Sequence, residues 1–273
     1  MAKPIPKKPL SKSKDTSDSA PFIPEKYHNL FFIITIFALV FIFFGSAIFG
    51  GGFNASDNVA SESFKTYLET CKKDGNFAHW IPYVFSGMPG YASLLLTGDR
   101  VWDFFFTIIF GAIGIFGKIF NSDVARVVTY YAIYGVGIYL LMLTKKQTKF
   151  IAFFVAVAAI FSTWVITWAM IGHNTKPIVL AMLPFIFLSI EKLREKISIY
   201  IVVLLVLILH VFIEGGHLQM IFYSACAIGI YYVFEFVSRL IKKQQPINVI
   251  WSGLLLALCF GLAFSMSADR YLS

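Results

Sequence analysis

Residues 150–190 read FIAFFVAVAAIFSTWVITWAMIGHNTKPIVLAMLPFIFLSI, and their pattern indicates the fold class. Phe150–Ile171 is an apolar run without a charge, long enough to cross a hydrocarbon core of about 30 Å as a helix. The polar turn Gly172–Lys176 separates it from a second apolar run, Pro177–Ile190. Two such runs joined by a short polar turn predict two consecutive membrane helices.

The same alternation of apolar runs and short polar gaps extends along the chain. Hydrophobic residues make up 58% of the 273 residues and only 14% carry a charge, whereas soluble domains average about 25% charged residues. That leaves too little polar surface for a cytosolic enzyme, a nucleic-acid-binding domain or a disordered chain. We therefore predict an all-α polytopic membrane protein whose environment is a lipid bilayer. The other apolar runs are Leu30–Phe49, Val127–Leu143, Ile197–Ile213, Leu218–Val237 and Val249–Met266.

The distribution of basic residues predicts the topology. The gaps 144–149, 191–196 and 238–246 carry nine lysines and arginines, whereas the opposing short gaps carry only Lys176 and Arg270. Cytoplasmic loops are the ones enriched in basic residues. This rule is satisfied only if a more doubtful apolar segment, residues 101–120, does not cross the membrane. We therefore expect about seven spans, a cytoplasmic N-terminus and a juxtamembrane helix near 101–120 on the outer face.

This topology divides the chain into five segments. Residues 1–28 are rich in Lys, Ser and Pro and predict a disordered basic cytoplasmic tail. Residues 29–50 form the first transmembrane helix, and 51–125 form a large first extracytoplasmic loop. Residues 126–267 contain six further transmembrane helices, and 268–273 form a stub on the outer face. Nearly all residues whose side chains could take part in catalysis or ligand binding then lie on one membrane face.

An acidic residue follows the first span. Asp57 can act as a base or bind a divalent cation such as Mg²⁺ or Mn²⁺. The competing interpretation is a helix N-cap for the stretch near 61–73. Asp103, at the start of the juxtamembrane segment, is the alternative acid in this loop.

The turn between the third and fourth runs carries imidazole, amide and ammonium groups. His173, Asn174 and Lys176 suit a phosphate or pyrophosphate beside the membrane. Pro177 suits the first turn of the following helix. The competing interpretation is an interfacial turn in which Lys176 snorkels to the lipid headgroups.

A second polar turn, Glu214–Gln219, lies between two later spans. Glu214 and His217 are three residues apart and would share a face of a continuing helix, as an acid/base pair or as metal ligands. The alternative is a solvated turn at a helix break. His210, within one turn of the same helix end, is expected to reach only interfacial polar groups.

Four motifs carry a family resemblance through their order and spacing. They are Trp80-x-Pro82, Phe85-Ser86-Gly87-Met88-Pro89, Gly172-His173-Asn174-Thr175-Lys176 and His217-x-Gln219. With these motifs the chain resembles the bacterial YfhO-type membrane proteins, which belong to the GT-C class of glycosyltransferases. The resemblance covers residues 29–273. Family members continue through further spans, so the chain is expected to be truncated after a first seven-span module.

The resemblance implies a GT-C-like bundle that moves a sugar from a polyprenyl-phosphate carrier to a cell-envelope glycan or lipid acceptor. The reaction would take place on the outer face of the bacterial cytoplasmic membrane. The resemblance assigns the catalytic acid, with a divalent cation where one is used, to Asp57, and further catalytic roles to His173 and His217. Substrate binding would fall on Trp80, Asn174, Lys176, Glu214 and Gln219.

Two other functions stay open. One is a transporter or flippase for a lipid-linked or small anionic solute, and the other is a non-catalytic membrane fragment. Transporters place ionisable residues near the middle of the membrane. Here the polar residues gather at the ends of the predicted spans, which favours surface chemistry over passage through the membrane.

Overall fold

The protein is a bundle of α-helices. The computed structural model describes residues 23–50, 52, 55, 65–83, 86–90 and 103–272. Within these residues the predicted all-α membrane architecture is confirmed. Asp57 and most of the predicted tail lie outside the described residues.

The elements follow one another along the chain with short connections. The α-helices are α1 (His28–Phe43), α2 (Gly45–Phe49), α3 (Lys65–Lys73), α4 (Phe104–Phe120), α5 (Asp123–Thr144), α6 (Lys149–Ile160), α7 (Thr163–Ile171), α8 (Lys176–Glu195), α9 (Ile199–Glu214), α10 (Leu218–Ile241), α11 (Ile247–Met266) and α12 (Ala268–Leu272). Two short antiparallel strands, β1 (Trp80–Ile81) and β2 (Met88–Pro89), pair Trp80 with Pro89.

Five helical segments among the described residues are long and apolar enough to cross a membrane. They are Glu25–Phe43, Asp123–Thr144, Lys149–Ile171, Leu218–Ile241 and Ile247–Met266. The chain is therefore a multi-pass membrane protein. The apolar helix α9 has only 16 residues, and α8 has charged residues at both ends. The total of seven spans and the large outer loop stay predictions.

The two ends of the bundle differ in chemistry. At the end where α5, α8 and α10 terminate, here named the basic end, Lys145 Nζ lies 2.8 Å from Glu191 Oε2. Arg194 binds both Glu191 and Glu235 there. Glu235 of α10 therefore pairs with a guanidinium from another helix, α8. The opposite end, where α7 and α9 terminate, is named the histidine end.

Both termini of helix α4 contact other helices at the histidine end of the bundle. The N-terminus of α1 lies at the basic end, where Lys149 Nζ binds the Glu25 carbonyl oxygen at 3.3 Å, so α1 runs toward the histidine end. Near the C-terminus of α4, Phe120 packs against Phe41 of α1. At its N-terminus, Asp103 binds His210 in the penultimate turn of α9. Helix α4 thus bridges two helices at one end of the bundle.

Helix α5 is at the centre of the bundle and is closely approached by its neighbours. A Cβ atom at Gly137 would lie 2.8 Å from Phe185 Cε2 and 2.9 Å from Pro184 Cβ. The side chains of these two α8 residues therefore pack directly against the backbone of α5. Small residues allow such close helix contacts in membranes. The Tyr139 hydroxyl is 2.9 Å from Asn29 Oδ1, which joins α5 to α1. These contacts fix α8, whose first residue is Lys176.

Candidate functional site

Three ionisable side chains converge inside the histidine end. His210 Nε2 lies 2.9 Å from Oδ1 and 3.0 Å from Oδ2 of Asp103. Glu214 joins them, with one ligating atom from each residue within 4.8 Å of the others. Asp103 and Glu214 are each 5% exposed and His210 is fully buried. We name Asp103, His210 and Glu214 the buried triad.

Local sequence explains how the buried triad is assembled. Asp103 is the N-cap of α4, and its Oδ1 accepts the Phe106 N–H at 3.2 Å. His210 and Glu214 are four residues apart on α9 and so share one helix face. Ser267, at the end of α11, places its Oγ 3.1 Å from His210 Nδ1. Both ring nitrogens of this buried histidine therefore have polar partners.

A second cluster lies on the two polar turns of the same end. The rings of His173 and His217 are 6.4 Å apart and nearly perpendicular. Lys176 Nζ lies 5.5 Å from the centroid of the Trp168 ring. We name His173, Lys176 and His217 the cationic cluster. Since Glu214 precedes His217 by three residues, the cationic cluster and the buried triad are neighbours.

Backbone geometry holds the two turns together. Gly172 has a φ of 95° and Gly216 a φ of 72°, both in the left-handed region that favours glycine. A Cβ at Gly215 would lie 2.7 Å from Val179 Cγ2, so the second turn packs directly on the first turns of α8. This close approach places His217 beside the residues that begin α8.

The protonation of His217 follows from its surroundings. Burial, then the positive charge of Lys176, and to a smaller extent His173, hold the pKa of His217 below its ordinary value. His217 Nδ1 accepts the Met220 N–H at 3.4 Å and caps α10. The ring is therefore neutral at pH 7 with its hydrogen on Nε2, ready to donate to an anion.

The other predicted site residues are placed differently. Asn174 is exposed in the turn next to His173. Gln219 is also exposed, and its Nε2 donates to the Tyr223 hydroxyl at 3.2 Å. Glu214 belongs to the buried triad, and the alternative interpretation of a solvated turn does not hold for it, because α9 continues through Glu214 and buries it.

Trp80 packs against other residues of the segment between α1 and α4. Its indole lies where a Cβ at Gly87 would approach to 2.4 Å, and its carbonyl oxygen accepts the Tyr67 hydroxyl at 3.0 Å. Gly87 has a φ of 116°, which the turn between β1 and β2 requires. These contacts show that the Trp-x-Pro and Ser-Gly-Met-Pro motifs build one hairpin.

His210 and Ser267 are the residues that the sequence did not predict for the site. The expectation that His210 reaches only interfacial groups is wrong, because α4 covers it with Asp103. One signal was available: a histidine four residues before a glutamate, on an otherwise apolar helix. Ser267 carried no signal, since its role depends on where α11 ends.

Comparisons of the chain with protein-family models, with curated proteins and with solved structures gave no match. The resemblance to YfhO-type proteins therefore rests on the order and spacing of its motifs alone.

Proposed function

We propose that the chain is a membrane-embedded transferase that moves a sugar from a polyprenyl-phosphate carrier to an acceptor at the histidine end. One observation supports this most strongly. The cationic cluster, suited to a phosphate, lies next to the buried triad, suited to proton or cation chemistry, at one end of the bundle. We further propose that this end faces the outside, as the distribution of basic residues predicts.

The cationic cluster would hold the carrier phosphate. An ammonium group and imidazole N–H donors form charge-assisted hydrogen bonds to phosphate oxygens. As the bond between the sugar and the phosphate breaks, negative charge grows on the phosphate, and Lys176 and His173 would stabilise it. Neutral His217 would donate a hydrogen bond through Nε2 without adding its own positive charge beside that of Lys176.

The carrier chain would lie between helices. An apolar cavity of about 540 Å³ opens between α10 and α11, lined by residues such as Ile228, Tyr232, Leu256 and Phe260. The cavity runs from Val249, near the basic end, to Phe260, which is less than two turns from the C-terminus of α11 at the histidine end. An isoprenoid chain that lies in it with its phosphate end beyond Phe260 would keep the phosphate near the cationic cluster.

The catalytic acid remains a proposal based on the resemblance. The resemblance assigns the role of catalytic acid to Asp57, which lies outside the described residues. Asp103 is the alternative, because it lies within the histidine end and already contacts a histidine. Trp80, Asn174 and Gln219 stay proposed contacts to the substrates.

The test uses the full chain in lipid nanodiscs with a polyprenyl-phosphate hexose as donor and a heat-treated cell-envelope glycan and lipid extract as the source of acceptor hydroxyls. Mass spectrometry measures the polyprenyl phosphate released as the hexose bonds to the acceptor. We expect release by the unaltered chain and at least about a 100-fold loss in Lys176→Ala, the lower range for a group that stabilises transition-state charge. Lys146→Ala, at the basic end, is the matched control and should release at the normal rate. Absence of release from the unaltered, folded chain, or equal loss in both variants, would overturn the proposal.

A transporter or flippase is the second candidate, and burial of three ionisable side chains favours it. It predicts movement of the lipid-linked sugar between leaflets with no release of polyprenyl phosphate. A fluorescent headgroup accessible to an impermeant quencher distinguishes the two, because a transferase releases phosphate without flipping.

A further inference from the structure

We propose that the buried triad is a binding site for a divalent transition metal, Zn²⁺ or Mn²⁺. The inference does not depend on the transferase proposal, since it rests on the side chains of Asp103, His210 and Glu214 alone. It also differs from the cation site expected at Asp57.

The spacing of the ligand atoms fits a coordination shell. Metal–ligand bonds of about 2.0–2.2 Å place neighbouring ligand atoms roughly 3.0–3.5 Å apart and opposite ones roughly 4.2 Å apart. His210 Nε2 is 2.9 and 3.0 Å from the two Asp103 oxygens, and the three residues together lie within 4.8 Å. Closing around an ion requires the Glu214 oxygen, which lies within 4.8 Å of the other ligand atoms, to approach them by at most about 1.8 Å.

The donor set selects the class of ion. One imidazole nitrogen and two carboxylates suit Zn²⁺ and Mn²⁺, whereas Ca²⁺ and Mg²⁺ favour oxygen ligands alone. Three protein ligands leave at least one coordination position for water or a substrate oxygen. Burial of all three ligands strengthens their attraction for a cation, because little water competes or screens there.

The groups behind the ligands are arranged as metal sites require. Ser267 Oγ, 3.1 Å from His210 Nδ1, can accept the Nδ1 hydrogen and leave the Nε2 lone pair directed at the ion. The Phe106 N–H orients the Asp103 carboxylate. Tyr271 donates its hydroxyl hydrogen to the Ile213 carbonyl oxygen at 2.7 Å, and so fixes α12 against the end of α9. The competing arrangement is a metal-free His–Asp hydrogen bond with the same heavy-atom distances.

The ion would join the first loop to the bundle. Asp103 comes from the start of α4, whereas both other ligands come from α9. A bound ion would hold α4 across the histidine end and place its open position next to the cationic cluster.

The experiment is metal binding by the purified full chain, prepared without an affinity tag of histidines, stripped with a chelator and dialysed against Zn²⁺ or Mn²⁺. We expect one ion per chain by mass spectrometry of the metal, and a ¹⁴N coupling from an imidazole in the electron spin-echo spectrum of bound Mn²⁺. Glu214→Gln keeps the shape of the side chain and should weaken binding at least about 100-fold. Ser267→Ala should weaken it about 10-fold, the lower range for a group behind a ligand.

His210→Gln should abolish the ¹⁴N coupling, and His79→Gln, an exposed histidine of the first loop, should leave it unchanged. If His210→Gln fails to fold, Glu214→Gln alone decides the outcome. Absence of a retained ion in the unaltered chain, or equal retention in Glu214→Gln, would leave the metal-free His–Asp pair as the correct description.

Discussion

Replacing Gly137 by alanine should destabilise the bundle, although alanine is the better helix former. Ordinary contacts to a Cβ begin near 3.4 Å, whereas the new methyl group would meet Phe185 at 2.8 Å and Pro184 at 2.9 Å. The shortfall is about half an ångström against a proline ring that cannot rotate away. Overpacking of this kind costs about 1–3 kcal/mol, and the gain in helix propensity returns about 1 kcal/mol.

Gly261→Ala is the matched control. It lies inside α11, and no atom of the described residues lies within 4 Å of the new Cβ, so the variant keeps the propensity gain and avoids the clash. The free energies of unfolding of the two variants should therefore differ by about 1–3 kcal/mol. Equilibrium unfolding in mixed micelles of detergent and SDS, followed by far-UV circular dichroism, measures this difference. Equal stability of the two variants would mean that α5 and α8 do not meet at Gly137. The packing that positions α8, and with it the first residue of α8, Lys176, would then be wrong.

The remaining predictions concern protonation, the basic end and topology. Removing the charge with Lys176→Met should raise the pKa of His217 toward its ordinary 6.5, observable by NMR of the labelled imidazole; an unchanged pKa would contradict the cationic cluster. Because this pKa is lowered on folding, His217 favours the folded chain above pH 6.5 and costs stability as the pH falls below it, and that loss should be smaller in Lys176→Met. Glu235→Gln removes one of the two carboxylates that Arg194 binds and should destabilise the chain by about 1.5–3 kcal/mol in thermal unfolding, because Glu191 still pairs with the guanidinium. In a background without native cysteines, an impermeant thiol reagent applied to intact cells should label Asn174→Cys and not Gln147→Cys, and the reverse would invert the topology.

The helices were predictable because a membrane span is specified by one continuous run of apolar residues. Six apolar runs separated by polar gaps predicted the approximate bounds of the helical segments between residues 126 and 267, which the structure divides into seven helices, α5 to α11. The break between α6 and α7 at Phe161 and Ser162 was not predicted, since the apolar run continues through it. Apolar composition specifies that a segment lies in lipid and says less about where its helix is interrupted.

The site was predictable only where its residues sit in polar turns. His173, Lys176 and His217 stood out because they interrupt apolar runs, and the structure brings them together. The His210 pair with Asp103 spans 107 positions, and no local pattern reports such a contact. The same holds for Glu235, whose partner is on another helix and not one turn away.

The bridging position of α4 has a consequence for the order of assembly during synthesis. Asp103 leaves the ribosome 107 residues before His210, and Ser267 follows another 57 residues later. At a synthesis rate of about 5–20 residues per second, His210 is made on the order of 5–20 s after Asp103. The N-terminal end of helix α4 therefore docks only after α9 has been synthesised, and the polar site is complete only after the end of α11 has followed.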